Sequence, residues 1–340
     1  MPQKPPAALP RRLARSANSG ATFPVATRAM QSWTPTGRRG FAQGITHAFA
    51  RAGLVLTPPL VAWLIAVTSW RGSFVILGLV SLVWVLAWVW YFRDVPADHK
   101  GMTAAVLERL PNQGRPSHKE RPKVPWGPLT RRIMPVTIVY FCYGWTLWLY
   151  LSWLPLFFRN EYGFNTRDSA FFSAAVYLPG VIGNLLGGEL SDRILHRTGD
   201  LKKARRNLTM FAFLASFTCM LPILFTTSLT TIVLALGAAF FFAEMIIGPM
   251  WAVPMDIAGK YSGTASGLMN SGSATAAILS PLAFGIVADM TGDWVLPFIG
   301  SLGLLLLGAA LAPLMHPERP FADAPAAAAP AGATPVLESR

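Results

Sequence analysis

The sequence predicts an all-α, polytopic membrane protein. Of its 340 residues, 53% are hydrophobic and only 13% are charged. In a typical soluble domain about 25% of residues are charged. The apolar residues also fall in blocks of about twenty, which is the length that a helix needs to cross a bilayer. Together these observations exclude an ordinary soluble protein.

Eight apolar blocks are long enough to cross a membrane as helices. A ninth, 13–33, is interrupted by Arg15, Asn18 and Arg28, so we expect it to span only where other helices cover its polar face. Glycine and proline break several blocks, which membrane helices tolerate when their neighbours satisfy the freed backbone groups. The eight strong blocks are 41–68, 73–92, 133–157, 169–190, 208–225, 231–253, 263–288 and 295–314.

The charge distribution indicates lipid rather than nucleic acid as the surroundings of the chain. A net charge of +13 would favour a nucleic-acid partner in a soluble protein. Here the positive charge lies in the loops between apolar blocks, where Lys and Arg fix the orientation in the bilayer. We therefore expect a lipid bilayer and no nucleic acid as partner. The scattered histidines, and Cys142 and Cys219 inside apolar blocks, predict neither a metal site nor a cofactor, and we find no arrangement typical of an enzyme.

The basic loops occur at every second position, as the preference of Lys and Arg for the cytoplasmic side requires. This places the C-terminus in the cytoplasm, together with four loops, those with Arg38, Lys119, Lys202 and Lys260. It also places a basic N-terminus outside and leaves an odd number of helices. The economical interpretation is that the chain begins in the middle of a larger protein's order of helices.

The stretch 187–206, at the end of block 169–190 and in the loop after it, combines two glycines, an acid–base pair and a basic cluster. The glycines, Gly187 and Gly188, should let this helix approach a neighbouring helix closely. The stretch resembles the cytoplasmic loop signature G-x-x-x-D-R-x-G-R-K of the major facilitator superfamily, with Leu195 in place of the second glycine. The residues that match are Gly188, Asp192, Arg193 and Arg197. Other stretches look like the anion:cation symporter family, namely Ala-Thr-Phe-Pro at 21–24, Trp-Arg-Gly-Ser-Phe at 70–74, Asp-Val-Pro-Ala-Asp-His at 94–99 and Ser-Gly-Leu-Met-Asn at 266–270.

The resemblance implies a helical bundle of two six-helix halves with the substrate site between them near the midplane. The chain looks like helices four to twelve, about nine of the twelve. The implied organisation is a basic, disordered arm at 1–12, helices 4–6 at 13–92, a basic cytoplasmic linker at 93–132, helices 7–12 at 133–315, and a disordered Ala/Pro tail at 316–340.

The implied function is secondary active transport of a small organic anion, a sugar acid or another carboxylate, by alternating access. We expect a monomeric symporter, coupled to H⁺ or Na⁺, in a bacterial inner membrane. The alternative is an N-terminally truncated, transport-incompetent fragment of such a carrier.

Arg51 and His47 are candidates for substrate binding. They lie four residues apart, hence on one face of a helix. An Arg inside the membrane costs about 3 kcal/mol or more, so it should face an aqueous cavity or a partner. Arg51 would attract the anion, and His47 would donate a hydrogen bond or carry a proton. Alternatively, both side chains snorkel to the cytoplasmic surface.

Four further residues are candidates for the substrate site. In the family the fourth helix begins with an Arg, which Arg12 matches, but Ser19 stands where the family has an acidic residue seven positions later. The others are Tyr143, Trp148 and Asn270, for each of which helix packing is the alternative.

Two acidic residues inside or beside apolar blocks are candidates for coupling and gating. Glu244 lies deep in an apolar block and is the candidate coupling group, or else a buried hydrogen bonder between helices. Asp192 is expected to face the N-terminal end of the helix that starts near Gly263, where the helix dipole favours negative charge. That contact would hold the cytoplasmic side shut in one state and release it in the other.

Overall fold

The computed structural model describes residues 22–111 and 123–321, and ten α-helices of twelve or more residues lie in these two ranges. No strand occurs in them. The helices are α1 (Thr22–Trp33), α2 (Arg39–Val67), α3 (Trp70–Tyr91), α4 (Trp126–Tyr162), α5 (Thr166–Thr198), α6 (Leu208–Met220), α7 (Leu229–Met245), α8 (Ile247–Ala258), α9 (Ser262–Thr291) and α10 (Leu296–Leu311).

Six helical runs in the described ranges are long and apolar enough to cross a membrane. Taken as one span, α2 and the short turn before it give a seventh, whose two limbs, Thr36–Thr57 and Pro59–Val67, are bent by 43°. The sequence has two consecutive prolines at this point, and proline lacks the N–H that a continuous helix would donate to the preceding turn. The structure therefore agrees with the predicted all-α, multi-pass architecture.

The longest apolar run, Leu229–Thr291, reverses direction between α8 and α9. Helices α4 and α5 form an antiparallel pair joined at Gly163, which has a φ of 67°. The order of the contacting residues shows that α7 runs parallel to α5 and that α9 runs parallel to α4. Hence α7–α8 and α9 run in opposite directions, and the reversal lies at Gly259, which has a φ of 47°. The run is two crossings rather than one.

The predicted block 231–253 is divided between two helices. Helix α7 ends at Met245 and α8 begins at Ile247. Pro249 has no N–H to donate to the Met245 carbonyl, so the regular helix cannot continue through this point. A Cβ built on Gly187 would lie 2.1 Å from that carbonyl oxygen, so α5 packs directly against the break.

The hydrophobic core lies among helices α4 to α10. Its largest fully buried side chains include Trp251, Tyr143, Phe157, Phe240 and Phe298. Helix α1 packs on α9, and α2 packs on α5 and α8, so these two helices cover one face of the core. Helix α3 contacts mainly α2 and is largely exposed, as expected of a helix that faces lipid or another helix.

Helices α2 and α5 cross at a cluster of glycines. A Cβ on Gly188 would lie 2.4 Å from the Gly40 carbonyl oxygen, and a Cβ on Gly44 would lie 2.5 Å from the Asn184 carbonyl oxygen. Small residues at such positions let helix backbones approach closely in membranes. The close approach predicted for Gly187 and Gly188 is therefore confirmed. We call this end of the bundle, which holds Gly40 and Gly188, the basic end.

Two predicted boundaries are wrong. The linker expected at 93–132 ends earlier, because α4 already begins at Trp126. The tail expected from residue 316 onward starts with a packed segment, His316–Phe321. Arg132 donates hydrogen bonds to the carbonyls of Met315 (3.0 Å), His316 (2.6 Å) and Arg319 (2.8 Å). Phe321 is buried, and its N–H bonds the Ile257 carbonyl at 2.9 Å. The rest of the predicted tail and the arm 1–12 lie outside the described residues.

Candidate functional site

A buried polar cluster joins four helices in the middle of the bundle. Arg51 of α2 forms an ion pair with Glu244 of α7, with Nε 2.9 Å from Oε2. Tyr143 of α4 donates its hydroxyl to Oε1 of Glu244 at 2.8 Å and accepts a bond from Nη2 of Arg51 at 3.1 Å. Asn184 of α5 donates to Oε2 at 2.6 Å. The structure thus brings together three residues predicted separately.

The exposure of the two charged groups differs. The Glu244 side chain is 0% exposed, whereas the Arg51 side chain is 15% exposed. A buried carboxylate is tolerated only with a counter-charge and hydrogen bonds, both of which Glu244 has. The interpretation that Arg51 snorkels to the surface is not supported, because the side chain turns to an interior partner.

Arg51 retains hydrogen-bonding capacity. A guanidinium has five N–H donors in a planar fork that matches a carboxylate. Only two of these donors have partners among the described residues, namely Glu244 and Tyr143. The other three donors have no partner in the described part of the chain, and 15% of the side chain is exposed, so Arg51 can offer hydrogen bonds to an anion.

His47 lies beside the cluster in an aromatic environment. Its ring stacks on Phe23 at 4.6 Å and lies 5.0 Å from the ring of Trp251. Nδ1 lies 2.9 Å from the Gln43 carbonyl, whereas the buried Nε2 has no partner within the described part of the chain. Trp251 in turn donates to the Tyr140 hydroxyl at 2.8 Å. His47 therefore makes no direct hydrogen bond to Arg51 or Glu244.

The other candidates for substrate binding lie apart from this cluster. Trp148 is half-buried and donates to Oγ of Ser273 at 3.3 Å, which connects α4 with α9. Asn270 is half-buried on α9. Arg12 lies outside the described residues. A surface groove between α1 and α9, lined by Arg28 and Gly263, includes no residue of the Arg51 cluster.

A second charged network lies at the basic end. Arg205, whose side chain is 0% exposed, contacts Asp192 at 2.9 Å and Asp256 at 3.0 Å. It also donates to Oγ of Ser191. Asp256 binds Arg39, at the start of α2, at 3.0 Å. The network therefore connects α2 to α5, α8 and the segment before α6.

Asp192 contacts a helix N-terminus, but not the one that we expected. Its two oxygens accept the backbone N–H groups of Gly40 (3.0 Å) and Phe41 (2.7 Å), at the start of α2. The prediction that Asp192 faces the helix that starts near Gly263 is therefore wrong. The physical argument, that a carboxylate is favoured at a helix N-terminus, applies equally to either helix. The glycine crossing of α2 and α5 decides between them.

The two arginines that match the cytoplasmic loop signature do not join this network. Arg193 is exposed and pairs with Glu189 on its own helix at 2.7 Å. Arg197 is exposed as well. Gly188 and Asp192 do lie at the contact between α2 and α5.

Sequence reasoning missed Arg205, Arg39 and Asp256. In the sequence, nothing distinguishes Arg205 from the neighbouring basic residues of the same loop. Asp256 could have been found, because a single carboxylate at the end of the apolar run 245–258 needs a partner.

Comparison with known proteins agrees with the fold and with the resemblance. The chain matches the sequence model of the Major Facilitator Superfamily over residues 12–281. It is 43% identical over 299 residues to a probable sulfoacetate transporter of Cupriavidus necator, and the match covers 88% of this chain and 70% of that protein. It also matches the solved structure of a Major Facilitator Superfamily transporter, FucP, in the outward conformation. That match has a TM-score of 0.59 and 14% identity, and it covers 86% of this chain and 72% of FucP.

More distant relatives match over most of the chain as well. The chain is 26% identical over 287 residues to a probable galactarate/D-glucarate transporter of Escherichia coli, covering 80% of this chain and 63% of that protein. It is 24% identical over 302 residues to human sialin, and the match covers 85% of this chain and 60% of sialin. The chain thus spans less than two thirds of the length of these two relatives. The chain belongs to the Major Facilitator Superfamily, whose members are multi-pass membrane transporters and not enzymes.

Proposed function

We propose that the protein is a secondary active transporter of a small organic anion, such as a sugar acid or a sulfonated carboxylate. The observation that carries the proposal is Arg51, whose side chain is partly exposed and whose guanidinium lies where α2 meets α4, α5 and α7. A planar guanidinium binds carboxylates and similar oxyanions with two parallel hydrogen bonds. The names of the relatives, which include sulfoacetate and galactarate/D-glucarate transporters, support this class of substrate.

Transport would proceed by alternating access. The glycine crossing and the network of Asp192, Arg205 and Asp256 close the basic end, and the proposed opposite state requires both to separate. The positive loops support a cytoplasmic location for this end and for the C-terminus, in a bacterial inner membrane. Coupling to H⁺ or Na⁺, with Glu244 as the coupling group, is part of the same proposal.

The test is uptake by the purified chain in proteoliposomes. Labelled sulfoacetate and D-glucarate serve as probes, with neutral sugars as the negative comparison and imposed H⁺ or Na⁺ gradients as driving forces. We expect saturable uptake of at least one anion, and its loss in Arg51→Gln. The matched control Arg159→Gln replaces an exposed arginine at the other end of the bundle and should leave uptake unchanged.

The same preparation is tested for binding by thermal shift. A stabilisation by anions that disappears in Arg51→Gln supports the anion site. A response to neutral sugars but to no anion would overturn the role of Arg51. Anion binding without any uptake would instead support the alternative, a transport-incompetent fragment.

A further inference from the structure

We propose that Glu244 is a tethered anion that takes the place of the substrate on Arg51 in the substrate-free carrier. This inference rests on the proposed function and deepens it, because it assigns a role to the same site when no substrate is bound. The substrate and Glu244 would then be alternative partners of one guanidinium.

The first argument is chemical. Glu244 presents to Arg51 a carboxylate, the group that the proposed substrates also carry. The contact, Nε to Oε2 at 2.9 Å, is an ordinary charge-assisted hydrogen bond. Glu244 reaches Arg51 from the interior, since its side chain is 0% exposed, while 15% of the Arg51 side chain is exposed. A dissolved anion can therefore approach Arg51 from the exposed side.

The second argument concerns what holds Glu244 when Arg51 turns away. Each carboxylate oxygen has its own additional donor, Tyr143 on Oε1 and Asn184 on Oε2. These donors come from α4 and α5, whereas Arg51 comes from α2. Glu244 therefore keeps two hydrogen bonds after Arg51 changes partner, which reduces the cost of the exchange.

The third argument is energetic. Removing one partner of a buried ion pair is strongly destabilising because the remaining charge is left without compensation. Arg51 therefore requires an anion in every state in which it is buried. Glu244 supplies that anion when the substrate has left, so the empty site can close and the carrier can return.

The mechanism separates two kinds of transport. Exchange of one substrate molecule for another only needs the loaded carrier to change state, so it does not use Glu244 as an anion. Net uptake includes the return of the empty carrier, and this step uses Glu244 as the anion that pairs with Arg51. Neutralising Glu244 should impair net uptake more than exchange.

The experiment compares wild type, Glu244→Gln and the matched control Glu161→Gln, which changes an exposed glutamate at the end of α4. Sulfoacetate and D-glucarate are the probes for binding, for counterflow in preloaded vesicles and for net uptake. In Glu244→Gln we expect the anion to bind about tenfold more tightly, which corresponds to about 1.4 kcal/mol. Counterflow persists, net uptake falls at least about tenfold, and the anion-induced thermal shift increases. The control behaves as wild type.

The outcomes distinguish this inference from the proposed function. If wild type neither binds nor transports any anion, the proposed function itself fails. If wild type is active and Glu244→Gln binds the anion no more tightly, or loses counterflow and net uptake in parallel, only the tethered anion is refuted. Glu244→Asp is the second variant if Glu244→Gln does not fold. It keeps the charge but shortens the side chain, so we expect tighter anion binding by a smaller factor.

Discussion

Replacing Asp192 with asparagine tests whether the basic end is a gate. The carboxylate accepts two backbone N–H groups at the start of α2 and contacts Arg205 at 2.9 Å. The asparagine side chain has one oxygen, so it can keep one of the two backbone bonds. The variant therefore loses one charge-assisted hydrogen bond and the ion pair with Arg205.

The size of the effect follows from these contacts. A hydrogen bond to a charged group contributes about 1.5–3 kcal/mol. Arg205 keeps Asp256 as a partner at 3.0 Å, so the loss of the ion pair is partly compensated. We estimate a net loss of about 3 kcal/mol, which corresponds to roughly a hundredfold shift of the equilibrium away from the closed basic end.

The assay is a distance measurement between spin labels at Arg38 and Arg197. Both are exposed at the basic end, one just before α2 and the other at the end of α5. The labels require a background in which Cys142 and Cys219 are replaced by alanine. Wild type should give one short distance, and Asp192→Asn should add a population at a longer distance.

The matched control is Asp289→Asn, which changes an exposed aspartate near the end of α9. It should reproduce the wild-type distances. An unchanged distance distribution in Asp192→Asn, with and without sulfoacetate, would refute the assignment of Asp192 to a gate.

Three further predictions concern the same end. Gly188→Ala places a Cβ against the Gly40 carbonyl at 2.4 Å, so α2 should separate from α5 and the same labels should report a longer distance. Arg205→Met leaves two buried carboxylates without this counter-charge, and a loss of about 3–5 kcal/mol should appear as a lower Tm in detergent. The Glu318 carboxyl has a lowered pKa. Its partial burial alone would raise the pKa, but its own backbone N–H, His316 and Lys202 outweigh this. The ionised group thus stabilises the fold above its ordinary pKa of 4.5, and this stabilisation is lost as the pH falls through the lowered value. Glu318→Gln should lower the free energy of unfolding at pH 7 by less than about 1 kcal/mol, seen as a slightly lower Tm, and the difference from wild type should vanish in strong acid.

The sequence could identify which polar residues need an explanation, but not which of them meet. Arg51 and Glu244 stand out in the sequence because charge inside apolar blocks is costly. They are 193 positions apart, so no spacing rule connects them. Their pairing depends on how α2 packs against the helices of the core, which is a property of the folded chain.

The errors have equally specific causes. Helix dipoles favour negative charge at every N-terminus, so the argument for Asp192 could not choose between α2 and α9. Arg205 is one of four basic residues at 202–206, and burial alone distinguishes it from the other three. The tail boundary was misplaced because its Ala/Pro composition begins only after Phe321.

The packed segment His316–Phe321 has a mechanical consequence. It fastens the end of α10 to α4 through Arg132 and to α8 through the Ile257 carbonyl. The segment thereby links α4, α8 and α10 at the basic end. A rotation of one of these helices relative to the others would break several hydrogen bonds together. If the proposed alternating access occurs, we expect α2 to move against α5 and α8. The conformational change would then be a tilt of α1 and α2 relative to the linked helices α4, α8 and α10.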